Sequence, residues 1–268
     1  MAASPEDNII RVEHLVAGYE ERAILNDISF TVRRGERFVI VGGSGCGKTT
    51  LLRHLIGLQR PTSGLVCLDG DDVGKAADED LNRIRRKFGM LFQAGALFGS
   101  LTLGENIALP LDEYTNLPRH TIDLLVRMKL SMVKLDGFED FLIAELSGGM
   151  KKRAALARAI ALDPAILFFD EPSAGLDPVT SAELDALIVR INESLGTTIV
   201  VVTHELSSIF AISNRVIMLD GETKSIIAEG DPKALRDQHP DPRVHAFFNR
   251  QPSSSFRSRR NNGGHRSQ

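Results

Sequence analysis

Eight residues, Gly42-Gly43-Ser44-Gly45-Cys46-Gly47-Lys48-Thr49, narrow the choice of folds more than any other stretch of this sequence. They fit G-x-x-x-x-G-K-[ST]. The apolar run Arg37 to Val41 before them reads as a strand. Lys48 to about Gly57 reads as a helix, with Leu51, Leu52, Leu55 and Ile56 at helical spacing. The residue types suit one kind of chemistry. Glycines let backbone N–H groups turn inward and approach phosphate oxygens without a Cβ in the way. The helix N-terminus adds a favourable dipole. Lys48 supplies a cation for β- and γ-phosphates, the Thr49 hydroxyl suits Mg²⁺, and Thr50 offers a further phosphate hydrogen bond. Cys46 fills a variable position and reads as a small spacer. A glycine-rich turn arising by chance would not come with strand, lysine and helix in this order.

A second element is Ala165-Ile166-Leu167-Phe168-Phe169-Asp170-Glu171. Its apolar residues place Asp170 at the end of a buried strand, within reach of a Mg²⁺ shell. Glu171 points elsewhere and can orient an attacking water or accept its proton. Alone, such a run is any strand meeting a solvated turn; beside a phosphate loop it gains meaning.

Strands are expected at Ile9 to Val16, at Ser29 to Arg33 with Ile28, Phe30 and Val32 on one face, and at Leu65 to Leu68, Gly89 to Phe92, Ala165 to Phe169, Thr197 to Thr203, Arg215 to Leu219 and Ser225 to Ala228. Helices are expected at Asn106 to Leu111, Thr121 to Val133, Met150 to Leu162 and Pro178 to Leu195. Two short ones follow between Pro232 and Phe248. Strands alternating with helices imply an α/β core with a parallel sheet covered on both faces, and the strand-free middle implies an inserted helical subdomain.

Composition excludes several alternatives. The chain has 268 residues, 43% hydrophobic and 25% charged, ordinary values for a globular protein. Two cysteines, Cys46 and Cys67, cannot make a disulfide scaffold. No apolar run nears the roughly 18 residues of a membrane-spanning helix, and no secretory signal is expected from MAASPEDNII. Setting aside the four arginines of residues 252–268 leaves 28 basic against 35 acidic residues, a body of −7. Such a body is a poor nucleic-acid binder, so no nucleic-acid partner is expected. The basic tail itself, PSSSFRSRRNNGGHRSQ, cannot bury enough apolar surface to order alone.

Glu145-Leu146-Ser147-Gly148-Gly149-Met150 stands at the start of the helix expected at Met150 to Leu162. Serine and two glycines there form a second anion-binding surface. Two such surfaces and one nucleotide site per chain suggest a composite site. With this motif the sequence resembles the ATP-binding cassette family, whose signature is usually written L-S-G-G-Q. The resemblance spans about residues 9 to 230. It includes Tyr19, Gln93 after a short strand, Ser173-Ala174-Gly175-Leu176-Asp177, and His204 after the strand ending at Thr203.

The resemblance implies a cassette domain over residues 1–230, with a mainly parallel core sheet, an antiparallel β subdomain and a helical subdomain inserted at about 95–163. A helical extension at 231–251 and the tail at 252–268 follow. It implies an ATPase working as a head-to-tail pair over two ATP molecules with Mg²⁺. Residues Gly42 to Thr50 of one chain would face Ser147, Gly148 and Gly149 of the second copy. Tyr19 would stack on adenine, and Gln93 would sense the γ-phosphate and Mg²⁺. Asp170 would join Thr49 and Gln93 around the metal. Glu171 would be catalytic, His204 would hold the γ-phosphate and water, and Asp177 would shape the dimer interface.

Met150 departs from the usual glutamine but leaves Ser147 and the backbone N–H groups in place, so activity should survive. Glu145 to Arg153, Gly89 to Phe98, Gly104 to Ile107, the charged helix around Arg127 to Leu135 and Gly137 to Asp140 together resemble ATPase subunits of Mce-associated, Mla-type lipid transporters. That implies phospholipid or other hydrophobic cargo moved between membranes. It also implies a transmembrane permease touching Leu97 and Phe98, an Mce-domain partner, and a peripheral place on the cytoplasmic side of the inner membrane. Leu97 and Phe98 could instead be core. Val244, Phe247 and Phe248 could dock across the pair, and the tail could meet anionic lipid, a neighbouring subunit or nothing. The alternative function is the ATPase of a small polar solute importer. Translation-type and repair-type relatives fit less well, because the chain has one cassette and no sustained heptads.

Overall fold

The computed structural model describes residues 7–19 and 22–251, the side chains of Tyr19 and Arg22 excepted. In chain order the elements are β1 (Asn8–Tyr19), β2 (Arg22–Arg33), β3 (Arg37–Gly42), α1 (Lys48–Leu55), β4 (Ser63–Leu68), β5 (Asp71–Asp72), α2 (Asp78–Arg85) and β6 (Phe88–Leu91). Then come α3 (Leu103–Tyr114), α4 (Arg119–Met132), α5 (Gly148–Ala159), β7 (Ile166–Asp170), α6 (Pro178–Leu195) and β8 (Thr198–Val202). The chain continues with α7 (Leu206–Ile212), β9 (Arg215–Leu219), β10 (Ile226–Gly230), α8 (Pro232–Gln238) and α9 (Pro242–Phe248).

Side chains alternate along a strand, so an all-apolar strand needs a core on both faces. β3, β7, β8 and β9 meet that condition in a six-stranded sheet ordered β10-β9-β3-β8-β7-β6, parallel from β9 to β6 and antiparallel only at β10. Val39, Val41, Leu167, Phe169, Val201 and Met218 face a core shared with α3 to α6. Phe38, Ile40, Phe168, Val200, Val202 and Leu219 face the other core, under α1 and a four-stranded antiparallel sheet ordered β2-β1-β4-β5. Arg215 joins the two sheets. It pairs with Glu36, donates to Thr31 O at 2.7 Å, and lies over the Phe38 ring.

Residues 95–163 hold α3, α4 and α5. Buried Leu103, Ile107, Leu111, Ile122, Val126 and Leu130 join them to each other and to the sheet. The fold is the α/β cassette with mixed sheets that the resemblance implies.

Several expectations need correction. β2 starts at Arg22, not Ser29, because its first half, interrupted by Arg22, Asn26 and Asp27, pairs with β1 from Tyr19↔Arg22 onward. α3 runs from Leu103 to Tyr114, past Pro110, where only Asn106 to Leu111 was expected. Thr102 and Glu105 form a reciprocal cap that sets its start. α2 and α7 were not expected at all. Val244 and Phe248 do not wait for a second copy: they are 0% and 3% exposed in this chain's own core, with Phe248 6.1 Å from the Phe210 ring. The basic tail lies outside the described residues.

Candidate functional site

Parallel strands end together, and the loops leaving those ends share one rim. Gly42 pairs with Leu219, Ile40 with Val202, Val202 with Asp170, and Leu91 with Phe169. This register brings the phosphate loop after β3, Thr203 and His204 after β8, Asp170 and Glu171 at the end of β7, and Gln93 after β6 onto one edge. Four motifs distant in sequence thereby meet.

The phosphate loop is shaped by backbone only glycine adopts cheaply. Gly42 has φ 149°, and a Cβ there would lie 2.4 Å from Leu219 O. Gly47 has φ 102° at the cap of α1, and a Cβ would press Leu25 at 2.6 Å. The cap residue offers no side chain to the first turn of α1. Lys48 Nζ donates to Gly42 O at 2.8 Å and Gly43 O at 3.0 Å, lying back along the loop. Gly43, Ser44, Gly45 and Thr49 are exposed, and Thr50 is half-buried. Cys46 is 3% exposed and burial pushes its thiol up, which fits a packing spacer.

Asp170 is half-buried at the end of β7. Burial, then the charge of Glu171, pushes its carboxyl up, while Arg53, Lys48 and Lys152 pull it back. Two adjacent carboxylates beside Lys48 make a place where a divalent cation gains. Thr49, Asp170 and Gln93 supply oxygen donors, the hard ligands Mg²⁺ takes alongside water and phosphate oxygens. Among the described residues no cluster of His, Cys, Asp and Glu could hold a metal by itself, so most of the shell would come from nucleotide and water.

Glu171 sits at φ 48°, in the left-handed region, with its N–H on Val202 O at 2.8 Å. Its carboxylate lies against the segment that follows β8. Thr203 Oγ1 donates to Glu171 Oε2 at 3.2 Å, and His204 Nδ1 donates to Oε1 at 2.7 Å. The Glu171 side chain is 14% exposed and that of His204 69%. A carboxylate held at both oxygens can orient a water without turning. Sequence reasoning missed Thr203, for which a hydroxyl at the end of an apolar strand was the available signal.

The signature residues stand elsewhere. Ser147 caps α5, its Oγ accepting from Met150 N–H at 3.2 Å, and Ser147 and Gly148 are exposed. A Cβ on Gly149 would lie 2.6 Å from Thr180 Cγ2, so the signature packs on the start of α6. Asp177 caps that helix, accepting from Val179 and Thr180 N–H at 3.1 Å, and the Thr180 hydroxyl holds its carboxyl below the usual range. The structure thus brings the signature residues Gly148 and Gly149 against the segment that Asp177 caps, at Leu176 and Thr180.

Gln93 is exposed on the loop after β6, its carbonyl accepting from Lys152 Nζ. Leu97 is half-buried against the core, whereas Phe98 is 51% exposed. The Tyr19 expectation concerns a side chain outside the described residues. No helix among the described residues is long and apolar enough to cross a membrane.

Known proteins resemble this chain. The sequence pattern of the family described as "ABC transporter" matches residues 25–174. The intermembrane phospholipid transport system ATP-binding protein MlaF of Escherichia coli K12 is 44% identical over 227 residues, 85% of this chain and 83% of that one. MlaF of Haemophilus influenzae is 40% identical over 241 residues, 90% of each chain. The probable ribonucleotide transport ATP-binding protein mkl of Mycobacterium tuberculosis is 41% identical over 240 residues, 90% of this chain and 66% of that one. Among solved structures, the dimeric post-hydrolysis cassette MJ0796 bound to ADP and Pi has 31% identity and a TM-score of 0.75, covering 83% of this chain and 98% of that one.

Proposed function

The chain belongs to the ABC transporter family and is an ATP-binding, ATP-hydrolysing subunit; from that premise we propose that it powers phospholipid movement between membranes. The observation that carries the cargo class is the 44% identity to MlaF over most of both chains. The stretch Glu145 to Arg153, with Met150 in place of the usual glutamine, adds to it.

We assign the residues as follows. The amides from Gly43 to Gly47 and the first turn of α1 cradle the phosphates, and Lys48 leaves the loop carbonyls for the β- and γ-phosphates. Thr50 adds a hydrogen bond, and Tyr19 stacks on the base. Thr49, Asp170 and Gln93 hold Mg²⁺, which neutralises phosphate charge when bound. Glu171, fixed by Thr203 and His204, orients the attacking water and takes its proton. His204, held in place by Glu171, contacts the γ-phosphate. Ser147, Gly148 and Gly149 close over the nucleotide of a second copy, and Asp177 shapes the contact between copies.

Exposed Phe98 and half-buried Leu97 meet a transmembrane permease, which holds the chain at the cytoplasmic side of the inner membrane. An Mce-domain protein carries lipid in the same complex. The mkl relative favours a second reading, a polar solute as cargo.

Glu171→Gln keeps the cradle and removes the proton acceptor. It should lower turnover by about a thousandfold or more and trap an ATP-dependent dimer, read by phosphate release and gel filtration. Wild-type turnover would sink the catalytic assignment. Cargo is tested by isolating the chain from its native membranes in mild detergent and analysing bound proteins and lipids by mass spectrometry. A permease, an Mce-domain protein and enriched phospholipid support the proposal. A permease with a soluble solute-binding protein and no enriched lipid replaces it with the second reading.

A further inference from the structure

The loop carrying Gln93 leaves an edge strand, yet it is not left to itself. Its carbonyls are held from the helical layer. Arg158 on α5 donates to Ala96 O at 2.8 Å and Gly95 O at 3.1 Å. Asn106 on α3, 0% exposed, accepts from Phe98 N–H at 2.8 Å and donates to Phe98 O at 3.0 Å and Thr102 O at 2.9 Å. At Gln93 itself the donor is Lys152, 8% exposed, on the helix that Ser147 caps. A buried ammonium is costly unless it is paired. Lys152 faces the Gln93 carbonyl and lies within electrostatic reach of Asp170 and Glu171, which counter the burial that lowers its proton affinity. One buried cation thus ties the signature helix to the Gln93 backbone.

We infer that Lys152 is a positioning residue for hydrolysis: by holding the Gln93 backbone from α5, it makes the place of Gln93 in the nucleotide site follow the signature helix. The physical consequence is directional. When α5 shifts to meet a second copy's nucleotide, Gln93 must shift with it, because its loop is fastened to α5 and α3 and only begins on β6. This rests on the proposed role of Gln93 at the γ-phosphate.

The test is a double-substitution cycle in the full chain, reading steady-state ATP hydrolysis and, separately, binding of a fluorescent ATP analogue. Lys152→Met should lower kcat by about ten- to a hundredfold, as expected for loss of a buried charged hydrogen bond. Nucleotide affinity should stay within about threefold, since Lys48 and the phosphate loop are untouched. Lys152→Arg, which keeps charge and donor, should recover most of the loss. Gln93→Ala combined with Lys152→Met should be within about twofold of Gln93→Ala alone, the mark of two residues acting as a unit. Losses that multiply would overturn the inference, as would unchanged kcat in Lys152→Met or a parallel fall in kcat and affinity. Should Lys152→Met not fold, Lys152→Gln carries the same cycle. Wild-type turnover in Glu171→Gln would be a different failure, removing the proposed reaction rather than the link.

Discussion

Helix α1 begins at Gly47 with no capping side chain, whereas α5 begins at Ser147, whose Oγ already accepts from Met150 N–H. Both starts are glycine-rich, and both place amides where an anion can sit. They differ in what stands behind them. α1 follows a strand buried on both faces, and its loop is clamped by Leu219 and Leu25. α5 follows the short turn Ile143–Glu145 in the helical layer and rests on the start of α6. A site that must hold phosphate within one chain is left open and rigidly backed. The surface we propose for a second copy's nucleotide is already satisfied by a serine cap, which is worth about 1 kcal/mol to the helix.

Lys48→Ala should break the first half of this contrast most visibly. ATP affinity should fall by about a hundredfold or more, read by titration with a fluorescent nucleotide, because a cation is lost from two phosphates. Unchanged affinity would mean that α1 is not the phosphate site. Ser147→Ala should be milder. Unfolding by denaturant should show about 1 kcal/mol of lost stability, and nucleotide affinity of the single chain should hold. ATP-dependent pairing with Glu171→Gln in the background should weaken. Pairing at wild-type strength would leave the serine as a cap and nothing more.

The smallest effect lies away from both helices. Asp71 is held down to about 2 by hydrogen bonds from Arg83 and Lys87. A depressed carboxyl contributes stability above its unfolded value of 3.8, and that contribution is lost as pH falls through about 2. Denaturant unfolding at pH 4 and pH 2 should show a larger drop in wild type than in Asp71→Asn, with nucleotide affinity at neutral pH alike in both. Equal drops would place the acid sensitivity elsewhere.

How far the sequence could be read depended on whether a residue's reason was local. The β3, β7, β8 and β9 strands were legible because burial on both faces leaves an uninterrupted apolar run. α6 was legible to its ends because Asp177 and Pro178 mark its start and Gly196, at φ 65°, its stop. The first half of β2 was not, since Arg22, Asn26 and Asp27 break the apolar pattern and only pairing with β1 makes it strand. α2 carries just two buried residues, Leu81 and Ile84, too few for a periodic signal. The motif residues Lys48, Asp170, Glu171 and Ser147 were visible, because each chemistry demands its own residue type. Thr203, Asn106 and Lys152 were not, because their partners lie on other elements and no spacing announces them.

The strand order has a consequence for how the chain is made. β3 carries the phosphate loop, yet both its neighbours, β8 and β9, lie beyond residue 197. At about 5–20 residues per second a ribosome needs roughly ten to thirty seconds to reach them after Gly42 has emerged. Throughout that interval Phe38, Val39, Ile40 and Val41 have no sheet to enter. A strand enclosed on both faces in the finished protein is therefore the one left longest without its neighbours during synthesis, and a chain that stalls before β8 exposes it to chaperones and to other nascent strands alike.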